Sequence, residues 1–348
     1  MLASSFPFRS PRIVGALVAA LGLVGTGALV WQHERSQTAL ALTRFTQSAD
    51  AFTVALERRL DTYTEIAFGL RGLFIANPQL GRREFVQAVQ RLDISERHPE
   101  IKNLAFTRYV RAADKDAFVA RVRADTSLEA QGYPAFTIRP PGDRAEYFVA
   151  DYLWPLQGNQ GIHGLDISAQ PANLASMRYA QTSAKPVASG PFDLLQETTH
   201  RTGFVIRVPV FQQARGTAAP EARDFMGAVA VTLRVHDVVE QLRSEGQLQG
   251  LALYLSDRGT QYAEQNFAVN LPLYVSANGE DPSVNPAYQR QIAVFGRKWR
   301  VELSPIRPFL SEAEQNTPLL FALGGAAISL LAGAVVFMAL RGQAAARA

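Results

Sequence analysis

The sequence predicts an α+β fold in which a long N-terminal helix leads into antiparallel sheets with helices packed to one side, the whole flanked by two transmembrane helices. Three observations carry this. Two long uncharged apolar blocks stand near the two ends of the 348-residue chain. The stretch Glu34–Ala76 contains no proline, and no glycine before Gly69. Beyond it helix and strand patterns alternate, and after about residue 200 the strands follow one another through short turns.

The first apolar block, Ile13–Trp31, has 19 residues without a charge. At 1.5 Å per residue it spans about 28 Å, close to the hydrocarbon thickness of a bilayer. The second, Pro318–Leu340, has 23 uncharged residues, or about 34 Å. A lone apolar segment in lipid must be a helix, because only a helix satisfies its own backbone groups. The first block exceeds the usual h-region of about 7–15 residues of a cleaved signal peptide, and no clean small-x-small site precedes Gln32. It is therefore read as a retained anchor; on either reading the segment after it is exported. Arg9 and Arg12 precede the first span, Arg341 and Arg347 follow the second, and neither tail carries an acid. The positive-inside rule then puts both tails in the cytoplasm of a two-pass inner-membrane protein and residues 32–317 outside.

Four of the basic residues behind the net charge of +4 lie in those tails, so the balance is not that of a nucleic-acid binder. The absence of Cys excludes disulfides, thiolate metal sites and cysteine nucleophiles. The five His residues (33, 98, 163, 200 and 236) are scattered, no glycine-rich phosphate loop with Lys occurs, and Ser189-Gly190 lacks the flanking glycine of a nucleophile elbow. No enzyme activity, metal or cofactor is expected.

In the helical stretch, apolar residues recur at Phe45, Ala49, Phe52 and Leu56, then at Tyr63, Ile66, Leu70 and Leu73, interrupted only at Arg59. A 3.5-residue repeat reads either as a coiled-coil dimer stalk or as a helix laid on the chain's own domain. Asn77-Pro78 ends it. Further along, Arg83–Leu92 reads as an amphipathic helix and Ile101–Val110 as a strand. Asp114 caps a helix to about Ala124, with Phe118, Val119 and Val122 on one side. Ala135–Arg139 and Tyr147–Leu153 read as strands, and Pro171 opens a helix to about Ser183. Gly203–Phe211 and Phe225–Val235 are the strongest strand patterns. A helix over 237–244 and strands near 251–256, 268–275, 288–295 and 299–304 complete a smaller α+β unit. Ser311 with Glu314 forms a capping-box pattern at the head of the last helix.

Between Tyr147 and Phe211 a set of residues stands in a recognisable order. Tyr147 is followed by Gly164-Leu165-Asp166, then Arg178 and Ala180 on a helix. Ser189-Gly190-Pro191-Phe192 with Leu194-Leu195 comes next, and Gly203 ahead of Pro209-Val210-Phe211. This block resembles the CHASE sensory family, extracellular sensors attached to cyclases and histidine kinases that include the plant cytokinin receptors. The resemblance implies two PAS-like antiparallel-sheet units behind the long helix, with the ligand in the membrane-distal one.

On this layout residues 1–12 are a cytoplasmic tail, 13–31 the first transmembrane helix and 32–76 the stalk. Residues 77–235 are the membrane-distal sensory unit, the CHASE core, and 236–310 the membrane-proximal unit. Residues 311–340 are the last helix with the second span, and 341–348 a tail. Only eight residues follow Leu340, too few for the catalytic output domain such sensors normally feed. A separate cytoplasmic kinase or cyclase partner is expected, or a truncated receptor.

The resemblance also places ligand contacts. The acid that plant receptors use against the purine falls at Asn173, a receptor Thr falls at Arg207, a pocket-lining Leu at Leu195, and the pocket-wall strand at Phe148 and Ala150. Ser189 completes the expected ligand-binding set. An amide in place of a carboxylate both donates and accepts, and a cation in place of a hydroxyl changes the charge, so a cytokinin is not expected. Arg207 lies in the apolar run Phe204–Val208. Its planar fork suits a ligand carboxylate, or else it pairs with Asp151 or Asp166 as a structural group. Asp166 reads as a turn acid, Pro155, Gly158 and Gly161 bracket a loop near the pocket mouth, and Trp154 and Phe192 are candidates for its apolar wall. The expected function is a membrane-anchored homodimeric sensor of a small, anionic ligand. The alternatives are an accessory membrane protein whose exported domain binds another protein, and an exported hydrolase.

Overall fold

The computed structural model describes residues 10–193, 202–212, 225–260, 270–276 and 285–346. The chain divides into two compact units, Ser48–Ile306 and the pair Met1–Gln47 with Arg307–Ala348. Helix α1 (Pro11–Ala76) contributes to both.

In the larger unit α1 is followed by two short helices, α2 (Arg82–Gln90) and α3 (Ile94–Arg97), and by strand β1 (Ile101–Arg111). Helix α4 (Lys115–Arg123), strand β2 (Glu146–Trp154) and helix α5 (Pro171–Ser183) come next. Then come β3 (Val187–Ala188), β4 (Phe192–Asp193), β5 (Thr202–Phe211) and β6 (Phe225–Arg234). These six strands form one antiparallel sheet in the order β2-β1-β6-β5-β3, with β4 also on β5. Helix α6 (Val235–Ser244) leads to a second antiparallel sheet of β7 (Leu251–Thr260), β8 (Leu271–Val275), β9 (Tyr288–Val294) and β10 (Arg297–Pro305), ordered β8-β7-β10-β9. Val235, Val238, Val239 and Leu242 bury the apolar stripe of α6. The buried Asp257 on β7 accepts from Nε of the buried Arg297 on β10. The two sheets meet where Ala188 N–H donates to Phe295 C=O at 2.9 Å and Phe204 meets Trp299 edge-on at 5.0 Å.

The buried stripe of α1 is not the 3.5-residue seam. It runs through Phe45, Ala49, Phe52, Leu56, Leu60, Tyr63, Ala67, Leu70 and Phe74, all 3% exposed or less. That spacing averages about 3.6 residues, the period of a straight α-helix. A straight helix drifts about 20° per heptad against a 3.5 repeat. The buried face therefore slides one position along, from Arg59 to Leu60, from Ile66 to Ala67 and from Leu73 to Phe74. Its far end is fixed by aromatic packing: Phe74 stacks on Phe106 at 4.1 Å and lies beside Phe85 and Tyr152. Midway, Tyr63 Oη donates to the buried Glu100 carboxylate at 2.6 Å.

Two further expectations are corrected. Asp114 stands at the N-cap of α4 but its side chain makes no capping bond; its carboxylate accepts from Arg111 Nε at 2.7 Å instead. Ala135–Arg139 is not a strand. Phe136 and Ile138 are buried, which gives the alternation, yet the segment makes only an isolated bridge from Arg139 to Leu165. Pro134 and Pro140 bracket it and bring no N–H to a ladder.

In the smaller unit, α1 packs against helix α7 (Glu312–Ala346). Both helices are long and apolar enough to cross a membrane. They touch through small residues: a Cβ on Gly15 would stand 2.8 Å from Gly333 C=O, and one on Gly22 would meet Ser329. Such close backbone approach is how helices associate where no hydrophobic drive separates protein from lipid. Beyond the apolar stretch, Arg44 grips Glu314 with both guanidinium nitrogens, at 2.8 and 3.0 Å. The Ser311 capping box forms, with Ser311 N–H donating to Glu314 Oε2 at 2.8 Å and Glu314 N–H to Ser311 Oγ at 3.3 Å.

The shifted phase of α1 is measurable. Leu60→Ala and Phe74→Ala should each cost about 2–5 kcal/mol in urea unfolding of the purified full chain, and Ile66→Ala and Leu73→Ala clearly less; the reverse ranking would restore the 3.5-residue seam. The Arg44–Glu314 pair predicts a pH dependence. Arg44, aided by the Ser311 N–H and hydroxyl, holds the Glu314 carboxyl down to about 2 from the usual 4.5. A depressed folded value gives stability that is present above about pH 4.5 and lost as pH falls towards 2. Melting curves of wild type and Glu314→Gln should therefore differ at neutral pH and converge below that window.

Candidate functional site

Each strand of the first sheet sends alternate side chains to opposite faces. One face, with Leu104, Phe106, Val229, Val231, Leu233, Phe204 and Ile206, is fully buried; there Phe106 meets Phe74 of α1. On the other face the register sets small and polar residues side by side. Asn103 lies opposite Thr232, Ala105 opposite Ala230, and Thr107 opposite Ala228 and Ala150. Val205 and Arg207 on β5 pair with Thr232 and Ala230.

A bulge makes this possible. Phe106 pairs with Tyr152 but Thr107 pairs with Ala150, so Asp151 is an extra residue in β2. Tyr152 thus joins the aromatic face, Ala150 the small one, and Asp151 leaves the ladder. Its carboxylate, 1% exposed, accepts from Arg82 Nη2 at 2.9 Å and from Arg108 Nε at 2.5 Å. Arg82 also donates to Asp125 at 3.0 Å.

Over the small face lie α5 and the segment 155–170, leaving a cavity of about 60 Å³. Asn103, Thr107, Gln170, Asn173, Arg207 and Thr232 supply its polar lining; its apolar lining includes the alanines at 105, 150 and 230, Ile162 and Phe192. Arg207, 2% exposed, donates from Nη1 to Ser176 Oγ at 2.9 Å and from Nη2 to Asn173 Oδ1 at 2.8 Å, tying β5 to α5. Asn173 in turn donates from Nδ2 to Gln170 Oε1. Thr232 Oγ1 donates to Asn103 Oδ1 at 3.0 Å. The covering segment is held by Arg139, whose Nη2 reaches Gly161 C=O and His163 C=O at 3.0 and 2.8 Å. Burial first, and then Arg82 beside it, draw the His163 imidazole down to about 4, so it is neutral at pH 7.

Of the residues singled out by sequence, the fold brings Ala150, Asn173 and Arg207 together on this cavity. Phe148 shares their sheet face but sits in an apolar cluster with Ile167, Met177, Phe225 and Ala228. Ser189 lies behind the wall, donating from Oγ to Gly190 C=O at 2.8 Å and accepting from Val205 N–H at 3.0 Å. Leu195 lies outside the described residues. Of the two aromatic candidates Phe192 lines the cavity; Trp154 is not among its lining residues. Asp166 is a turn acid, accepting from the N–H groups of Phe148 and Ser168 at 3.0 and 3.1 Å. Arg207 meets neither of its expected acids: Asp151 is held by Arg82 and Arg108, and Asp166 by its turn and Arg144. Asn103, Thr107, Gln170 and Thr232 were missed. A signal existed in Ala228-Val229-Ala230-Val231-Thr232, where one face of an otherwise bulky strand is kept small. Among the described residues no group of three or more His, Asp or Glu side chains is placed to hold a metal.

No curated protein matches the sequence. Among solved structures, an extracellular ligand-binding receptor from Desulfohalobium retbaense is 15% identical over 75% of this chain, with a TM-score of 0.43; the chain spans 39% of that receptor's length. Methyl-accepting chemotaxis protein X is 15% identical, covering 78% of this chain and all of its own, with a TM-score of 0.45. The ligand-binding domain of the Pseudomonas aeruginosa amino acid chemoreceptor PctC, solved with GABA, is 13% identical, covering 77% of this chain and 99% of its own, with a TM-score of 0.38. The CHASE domain family matches residues 78–268, more than half of the chain. The chain therefore belongs to the CHASE-domain family of extracytoplasmic sensors.

Proposed function

We propose that the chain is an inner-membrane receptor whose exported domain binds a small molecule in the cavity between the first sheet and α5, with Ala150, Asn173 and Arg207 among its contacts. The observation that supports this most is a partly open cavity lined, among the described residues, by six polar side chains beside an otherwise apolar sheet face. Polar groups are costly on such a face unless paired or used. A packed, cavity-free domain would have favoured the accessory-protein reading.

A ligand acts only through the difference in its affinity for two states. Here β5 is bonded to α5 through Arg207, and β3 to the β9–β10 turn through Ala188. A shift of α5 against the sheet therefore has a bonded route to the second sheet. We place the working form as a homodimer acting without catalysis of its own on a separate cytoplasmic kinase or cyclase.

The test is a small-molecule panel in thermal-shift assays on the full chain in nanodiscs. A ligand present at about 100 times its Kd should stabilise the wild type by about 2.7 kcal/mol. Ala230→Leu, which fills the cavity, should remove that response while the unliganded chain still melts cooperatively. Compounds that stabilise both forms equally would move the ligand site elsewhere.

A further inference from the structure

We infer that a second binding site, separate from the cavity, takes small aromatic carboxylates. It is the half-open groove between the segment Tyr133–Arg139 and the cover residues Leu156, Gln160 and His163, with a volume of about 370 Å³. Local pattern sets the first wall. Phe136 and Ile138 turn inward and are buried, so Thr137 and Arg139 between and after them stand outward and exposed. The segment is fixed from behind. Arg123 Nε donates to Phe136 C=O at 2.9 Å, Arg139 N–H donates to Gly164 C=O at 2.9 Å, and Asp166 N–H donates to Arg139 C=O at 2.7 Å. The His163 ring joins the two walls, 5.1 Å from the Tyr133 ring and 4.7 Å from that of Phe136. Three rings in contact, with Pro134 and Leu156 beside them, favour a flat aromatic body that continues the packing. Room is sufficient, since benzene fits a cavity of about 150 Å³.

Charge selects among aromatic compounds. Arg139 uses Nη2 on the Gly161 and His163 carbonyls, which are neutral acceptors. Its Nε and Nη1 have no partner, and no carboxylate pairs with it, among the described residues. Arg82, the other cation beside His163, is already held by Asp125 and Asp151. A guanidinium only donates, so the bond between Arg82 Nη1 and His163 Nε2 at 3.2 Å makes that ring nitrogen the acceptor and leaves the imidazole proton on Nδ1. His163 Nδ1 has no partner among the described residues, nor is it sealed from solvent. The groove therefore presents a guanidinium fork and a ring N–H, and its described lining residues include no Asp or Glu. A carboxylate accepts from such donors in charge-assisted bonds; an ammonium group finds no counter-charge there.

The full chain in nanodiscs is titrated with sodium benzoate, benzamide, benzylamine and sodium acetate at constant ionic strength, read by calorimetry and thermal shift. Benzoate should bind, and benzamide, equal in shape but uncharged, about fivefold more weakly, the upper worth of one exposed ion pair. Acetate, which has the charge without the ring, and benzylamine should give no signal. Gln160 is exposed and its side chain has no partner among the described residues, so its charge can be changed without loosening the fold. Gln160→Glu should weaken benzoate about fivefold and Gln160→Lys tighten it, both with melting temperatures near that of wild type. Ala135→Trp, also at an exposed position, should abolish binding by filling the groove, and Ala230→Leu, which fills the cavity, should leave it unchanged. Benzoate that does not bind, that binds no better than benzylamine, or that is indifferent to both Gln160 variants would overturn the inference. So would loss of benzoate binding in Ala230→Leu with retention in Ala135→Trp, which would put the compound in the cavity. None of these outcomes touches the sensor reading, whose own test is the response of the cavity.

Discussion

The architecture of the sensory domain turns on one buried carboxylate. Asp151 is the extra residue of a β-bulge, and it is stable there because Arg82 from α2 and Arg108 from β1 both reach it. A buried charge without such partners would cost several kcal/mol. With them, the bulge reverses which side of the sheet β2 serves. Tyr152 closes the aromatic cluster on α1 and α2, and Ala150 faces the cavity two residues away. Without the extra residue these two side chains would fall on the same face. The same ion cluster thus anchors α2 to the sheet and divides the packed face from the cavity face.

The two faces of the sheet then have different physics. The α1 face is dry and filled by large side chains, so its contribution scales with buried apolar area. The α5 face is thinned by alanines and lined with amides, hydroxyls and a guanidinium. These bond to one another in a chain from Arg207 through Asn173 to Gln170. Such a network is stable only while its members are satisfied, a constraint that the aromatic layer does not carry. The ties from β3 to the β9–β10 turn and from Phe204 to Trp299 give the second sheet contact with both layers.

In the smaller unit a different economy applies. The helices meet through Gly15, Gly22, Gly325 and Gly333, the kind of close small-residue packing by which apolar helices associate in lipid. The Arg44–Glu314 pair outside that region is bidentate and supported by a capping box, so it fixes geometry more than it adds energy.

Local pattern was enough for much of this. The long apolar lengths of α1 and α7, the Pro171 start of α5, the strands on either side of residues 212–224 and the Ser311 cap depend on near neighbours and were legible in sequence. So was a family likeness, carried by motifs whose spacing survives. The phase of α1 was not, because 3.5 and 3.6 residues per turn diverge only over several heptads and only the surface beneath decides between them. Nor was the bulge at Asp151: an extra residue is invisible until a partner strand sets the register. From that register follow the cavity, the polar residues at 103, 107, 170 and 232, and the partners of Arg207. Sequence determined most of the helices and strands and the two long apolar lengths; which side chains share a wall was decided only when non-local strands were laid edge to edge.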